Sequence, residues 1–224
     1  MNRRIYTGCA AAVRAEPILR AQIFVIEFPP WAYTASPPVV RMERYDCLQG
    51  TWRDAPAVPT SGYGFGFLSC GDHLYFIGGW IPPPVDNGEQ NPAFRSCYRY
   101  DVRARQWSEI PPMRQGRCYF GAAFLQGRIY VLGGWVNADY DDGDKTNSVE
   151  AFDPGTDTWV ECTPMGEPRA DFDAVACQHR LLVFQDHMAE IYDPSIDAWA
   201  SLAQPPLPGA VDWYRLDGAV LRFF

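Results

Sequence analysis

The 224-residue chain has a formal net charge of −8, and its hydrophobic and charged shares, 47% and 21%, are those of an ordinary globular protein. An acidic surface gains no counterion-release affinity, which argues against nucleic acid as a partner. No apolar run approaches the ~18 residues that a membrane helix needs, so no membrane partner is expected. The seven cysteines are odd in number and include no C-x-x-C, which argues against a disulfide framework and a zinc ribbon. They read as small buried thiols in a reducing compartment, the cytoplasm, with the nucleus as the alternative. The opening residues MNRRIYTGCAAAVRAEP imitate a signal peptide, but Arg14 and Glu16 interrupt the apolar stretch.

Taken in chain order, the elements are short and alike. GCAAAV is followed by QIFVIEF, ending at Phe28. GYGFGFL is followed by HLYFIGGW, ending at Trp80, and CYFGAAFL by RIYVLGGW, ending at Trp135. DFDAVAC precedes RLLVFQD, and GAVDWYRL precedes AVLRFF at the end of the chain. Each pair is a small-residue run and an apolar run rich in β-branched and aromatic residues, which predicts two strands. Tight turns such as Cys70-Gly71-Asp72, Gln126-Gly127 and Asp217-Gly218 join them as hairpins. A second hairpin follows: Tyr45-Asp46 before Trp52, Tyr100-Asp101 before Trp107, Phe152-Asp153 before Trp159, and Tyr192-Asp193 before Trp199. The aromatic always lies seven residues before the Trp, and successive Trp residues are 55, 52 and 40 residues apart. Such a period indicates a repeat architecture, and no window of helical length carries a 3.6-residue apolar period. The chain reads as all-β.

The four-strand unit, with Gly78-Gly79 and Gly133-Gly134 closing the second strand and the spaced aromatic and Trp after it, resembles the kelch repeat. The likeness is weaker at the ends, where Glu27-Phe28 and Gln185-Asp186 replace the glycines. The resemblance implies a β-propeller of four-stranded blades. A single domain over 1–224 is expected, with blades at about 7–58, 59–114, 115–166 and 167–206 and a C-terminal half-blade at 207–224. The half-blade leaves the ring open or incomplete. The chain is then an open arc or a truncated product, with its Leu221–Phe224 edge free for self-association. The glycines read as sites of close backbone approach. Trp52, Trp107, Trp159 and Trp199 read as packing residues between blades, so Trp107→Ala is expected to destabilise more than Trp135→Ala.

In an antiparallel meander, alternate connections lie on opposite faces. The short ones, CGDH, LQGR, DVRARQ, DPGTDT and DPSIDA, share one face. The long ones and the blade-to-blade linkers share the other, where binding residues concentrate. That face carries Trp31, Trp80 and Trp135, read as exposed anchors or as covers of the blade tops. It also carries Arg95, Arg114, Arg117 and Arg169, and the acidic run Asp139, Asp141, Asp142 and Asp144. Arg and Trp are enriched at interface hot spots. The resemblance implies a protein-binding scaffold in which Arg117 and Arg169 meet acidic groups of a protein or peptide partner. The other candidates for contact on this face are Trp80, Trp135, Arg114, Asp139 and Asp141, although the acidic loop reads plainly as a polar loop kept soluble by charge, which would repel an acidic partner. Pairing of Arg117 and Arg169 with neighbouring carboxylates is the structural alternative. One form of this function is the substrate-recognition part of a ubiquitin-ligase adaptor.

No metal is expected. Started at Asp139, a calcium loop would have Asp141 third and Glu150 twelfth, but Gly143 and Asp144 stand in the wrong order for its turn. His73 and His179 fall on the short-turn face and only His187 is well placed. No nucleophile-elbow, phosphate-loop or zinc-protease motif occurs. No cofactor and no enzyme activity are expected. The alternative is a kelch-fold enzyme acting on a small sugar, as mutarotases do, since fold alone does not give function.

Overall fold

Among the described residues, sixteen strands form four antiparallel sheets of four, each in simple meander order. The computed structural model describes residues 8–13, 22–27, 40–81, 91–137, 144–185 and 188–202, with the backbone alone at 8–13, 23, 25 and 27. Blade 1 holds β1 (Gly8–Val13), β2 (Gln22–Glu27), β3 (Arg41–Asp46) and β4 (Thr51–Asp54). Blade 2 holds β5 (Gly66–Cys70), β6 (His73–Ile77), β7 (Cys97–Asp101) and β8 (Gln106–Ile110). Blade 3 holds β9 (Gly121–Leu125), β10 (Arg128–Leu132), β11 (Val149–Asp153) and β12 (Thr158–Cys162). Blade 4 holds β13 (Asp173–Cys177), β14 (Arg180–Gln185), β15 (Met188–Asp193) and β16 (Ala198–Ser201). The first strands stand side by side in the order β1, β5, β9, β13, and no comparable contact joins β13 to β1 among the described residues. These are propeller blades, as expected, in an arrangement that the described sheets do not close. The expected half-blade at 207–224, with its Leu221–Phe224 edge, lies outside the described residues, as do Trp31, Asp139, Asp141, Asp142 and His187.

The seven-residue spacing has a local cause. In each blade the aromatic and the Trp are direct cross-strand partners: Tyr45 with Trp52, Tyr100 with Trp107, Phe152 with Trp159, and Tyr192 with Trp199. Their ring centroids are 5.0–5.1 Å apart in all four. A four-residue turn separates the strands. The Asp after the aromatic nucleates it by accepting hydrogen bonds from backbone N–H groups ahead of it, as Asp46 does from Leu48 and Gln49 and Asp101 from Arg103 and Ala104. Those bonds hold the Asp101 carboxyl below its ordinary pKa. The turn ends in the left-handed region at Gly50, Arg105, Asp157 and Asp197, which reverses the chain so that residue i faces residue i+7.

Alternate residues of each strand point to opposite faces, and the blades stack on those faces. Phe24, Ile26 and Met42 of blade 1 pack on Leu74, Phe76 and Tyr100 of blade 2. Tyr75, Ile77 and Cys97 of blade 2 meet Ile129, Val131 and Phe152 of blade 3. Tyr130, Leu132 and Val149 of blade 3 meet Leu181, Val183 and Tyr192 of blade 4. The paired Trp sits at the outer rim of each junction and donates its indole N–H to a carbonyl at the end of the preceding blade. Trp107 reaches Pro56 at 3.2 Å, Trp159 reaches Pro111 at 2.8 Å, and Trp199 reaches Thr163 at 2.8 Å. Trp52 departs from this role. It keeps its stack on Tyr45 but is 53% exposed, because no blade precedes it among the described residues.

The Gly-Gly pairs receive the linker that enters the next blade. Gly79 donates to the carbonyl of Arg117 at 2.9 Å, and Gly134 to that of Arg169 at 2.7 Å. All four glycines have φ between +60° and +99°. A Cβ on Gly78 or Gly133 would stand 2.5 Å from the same Arg carbonyl. Glycine is required there on both counts.

Candidate functional site on the linker face

Backbone hydrogen bonds tie the linkers to the connections between second and third strands, so both occupy one face. Met113 donates to Arg95 and Arg117 to Phe94; one blade later, Met165 donates to Asn147 and Arg169 to Thr146. The residues expected to work on this face are divided by the structure into buried and exposed sets.

Arg117 and Arg169 are not partner-facing. Arg117 is 0% exposed and Arg169 3%. Arg117 donates from Nη2 to Glu150 Oε1 at 2.7 Å and to Ser148 Oγ at 3.0 Å. From Nη1 it donates to the carbonyls of Gly133 and Ser148, at 2.8 and 3.1 Å. Arg169 repeats the pairing with Glu190 at 2.7 Å. Glu150 also accepts the backbone N–H groups of Arg114 and Gln115, at 2.8 and 3.2 Å, and Glu190 accepts that of Gly166. Burial lowers the pKa of Arg117, and the charge of Glu150 opposes that shift. Each pair clamps a linker onto the third strand of its blade. The structural alternative for these arginines is the one observed, and a direct role in meeting a partner's acidic groups is ruled out by burial.

Trp80 and Trp135 are likewise covers, not exposed anchors. They are 4% and 6% exposed, in a cluster with Ala93, Cys118 and Ala170. Trp135 Nε1 donates to Asp171 Oδ2 at 2.8 Å, and Lys145 Nζ lies 4.8 Å from its ring centroid. Since Trp107 is only half-buried, burial favours the order opposite to the one expected, with a larger shift of the denaturant midpoint for Trp135→Ala than for Trp107→Ala as the outcome to check. Asp144 accepts from Asn137 Nδ2 at 3.0 Å, which closes the base of its own loop.

Arg95 is exposed, and of Arg114, Arg117 and Arg169 only Arg114 is exposed as well. Its backbone is held by Glu150, while its guanidinium, 62% exposed, pairs with the 64% exposed Glu161 at 3.1 Å. The pair stands over a cavity of about 350 Å³ whose lining includes Gln115, Asn147, Ser148, Glu150 and Pro164. Its polar wall is a network that sequence reasoning missed. Ser148 Oγ donates to Gln115 Oε1 at 2.7 Å, Thr146 Oγ1 lies 3.2 Å from the same oxygen, and Asn147 Nδ2 donates to the Met165 carbonyl at 2.8 Å. Arg95 makes the bond equivalent to that of Asn147 one blade earlier, to the Met113 carbonyl at 2.6 Å. The stretch TNS at 146–148 had no motif to mark it. Its only signal is its place at the end of a long connection.

Among the described residues, no group of three or more His, Cys, Asp or Glu could hold a metal ion. His73 lies 3.8 Å from Asp101 on the short-turn face. Cys97 and Cys118 are unpaired, and burial pushes both thiols up to about 12.

Four-stranded meander blades, left-handed Gly-Gly pairs under the following linker, and an aromatic stacked on a Trp in each outer hairpin define a β-propeller repeat protein. The Kelch motif matches residues 61–114 and 116–166, which are blades 2 and 3 with their linkers. Blades 2 and 3 are thus kelch repeats, and the chain is similar to kelch-repeat proteins. It is 25% identical to the F-box protein AFR of Arabidopsis thaliana over 189 residues, 77% of this chain and 47% of that protein. It is 28% identical to Kelch repeat and BTB domain-containing protein 12 of Homo sapiens over 131 residues, 57% of this chain and 21% of that protein. It is 32% identical to Kelch-like protein 35 of Mus musculus over 116 residues, 51% of this chain and 20% of that protein. The chain thus spans between a fifth and a half of the length of these relatives.

Proposed function

We propose that this chain is a protein-interaction module that binds its partner on the linker face, around Arg114 and the cavity below it. Arg114 carries the reading. Its main chain is fixed by a buried carboxylate, yet its charge is held by nothing stronger than an exposed pair, worth ~0–1 kcal/mol. An acidic group on a partner can therefore displace Glu161 at small cost and gain a charge-assisted bond to a positioned guanidinium. Of the arginines expected to meet acidic groups, Arg114 keeps that role and Arg117 and Arg169 support the face from beneath. Relatives that join kelch repeats to an F-box or a BTB domain by name support the finer reading, in which the blades select the substrate of a ubiquitin-ligase adaptor.

Site-specific photocrosslinking tests the choice of face. With p-benzoylphenylalanine at position 161, at the cavity mouth, and separately at position 156, on the short-turn face, cell extract should give discrete protein adducts from 161 alone. Those adducts should weaken in an Arg114→Ala background. Equal adducts from both positions, or adducts from 156 only, would overturn the reading.

A further inference from the structure

We infer that the cavity beside Arg114 is a carboxamide-binding subsite, taking a main-chain peptide group or the side chain of an Asn or Gln. The inference rests on the interaction role above and names what the partner inserts.

The amide of Gln115 is held in one orientation. Ser148 Oγ already accepts from Arg117 Nη2 at 3.0 Å, so its own proton is directed to Gln115 Oε1 at 2.7 Å. Thr146 Oγ1 closes on that oxygen at 3.2 Å. The oxygen is thereby committed to the protein, and among the described residues no acceptor meets the Gln115 amide nitrogen. Asn147 is set the opposite way. Its Nδ2 is committed to the Met165 carbonyl at 2.8 Å, and among the described residues no donor meets its Oδ1. Both residues are half-buried and both line the same cavity. The cavity thus offers one oriented donor and one oriented acceptor.

Charge narrows the occupant further. Glu150 at the cavity floor is satisfied by Arg117 and by two backbone N–H groups. At the rim Arg114 and Glu161 neutralise each other. The interior therefore favours a neutral dipolar group: a side-chain carboxamide carries one acceptor and one donor side by side, and an extended main chain offers the C=O and N–H of one residue on the same edge. The volume of about 350 Å³ lies at the small end of the ~300–1,000 Å³ range of ligand pockets, so it suits one inserted side chain or one turn of main chain.

The test is selection of random twelve-residue peptides displayed on phage against the full chain. Gln115→Glu keeps the oxygen that Ser148 and Thr146 use and removes the donor. It should weaken the selected peptides about tenfold, near the upper end for one hydrogen bond, with the melting temperature checked in parallel. A second measurement needs no protein variant. If the source is a side chain, the peptides share an Asn or Gln whose change to Leu costs about tenfold in affinity; if it is main chain, N-methylation of one peptide bond does so. Peptides that bind yet are indifferent to Gln115→Glu, to Leu replacement and to N-methylation would overturn the subsite while leaving the interaction reading standing. Failure to enrich any peptide would also overturn the subsite, and the interaction reading then answers to its own crosslinking result.

Discussion

Among the described residues Arg117 is the largest fully buried side chain, and it holds a charge where a charge is expensive. Burying an ion costs several kcal/mol, repaid only when its partner and remaining donors are well placed. Glu150 meets that condition with three donors, and four acceptor contacts meet the two Nη atoms of Arg117, while its buried Nε has no partner among the described residues. Breaking such a pair from one side leaves an unpaired buried charge, a loss of ~3–5 kcal/mol. The exposed Arg114–Glu161 pair is screened and flexible, worth ~1 kcal/mol or less. Glu150→Gln should therefore shift the denaturant midpoint strongly, and Glu161→Gln should leave it nearly unchanged. Comparable shifts for the two would show that the Arg117 pair contributes no more than a surface one. The burial was partly legible in the sequence. Arg117 and Arg169 recur at the same place in successive units, and Glu150 and Glu190 both stand two residues before the hairpin aromatic. A binding residue has no reason to recur in step with the fold, whereas a clamp between linker and strand does.

At the scale of elements, the repeat is a junction as much as a blade. An apolar face of one sheet, the aromatic face of the next, and an indole N–H bonded to the end of the preceding blade recur at Trp107, Trp159 and Trp199. Trp52 has the stack but is the exposed member of the set. Replacing Trp by Phe removes the N–H while keeping an aromatic on its partner ring. Trp159→Phe should therefore lose roughly 1 kcal/mol for the hydrogen bond alone, while Trp52→Phe should stay within about 0.5 kcal/mol, as surface changes do. Equal losses in urea melts would mean that Trp52 also has a bonded neighbour. The hairpins were readable because their causes are local: the turn-forming Asp, the left-handed residue and the cross-strand aromatic pair all lie within eight residues. The partner of each Gly-Gly pair was not readable, because it is a carbonyl some 38 residues away, as from Gly79 to Arg117. The burial of Trp80 and Trp135 was hidden for the same reason. A Trp at the end of a strand looks exposed until the linker of the next blade is laid beside it, as Ala170 and Asp171 are beside Trp135.

For the whole molecule, stability should follow the number of covered faces. In a stack of repeats each unit interacts only with its neighbours, so stability sums unit and interface contributions. Blades 2 and 3 are sandwiched on both faces by apolar clusters. Blade 1 has its Met42 face covered, while Tyr45 and Trp52 occupy its other face. Blade 4 has Leu181 and Val183 covered, while Phe184, on the opposite face by strand alternation, is among the exposed large hydrophobics. Local opening is easiest where few apolar contacts must be broken. Native-state hydrogen exchange should then be slowest in β6, β7, β10 and β11, and faster in β3 and β15, although all six are inner strands of four-stranded sheets with full backbone ladders. The ladder alone predicts equal protection, so a gradient would isolate the contribution of blade-to-blade burial. Protection in β3 and β15 equal to that in β10 would contradict the covered-face argument, because the faces that carry Trp52 and Phe184 would then be as well shielded as the two between blades 2, 3 and 4.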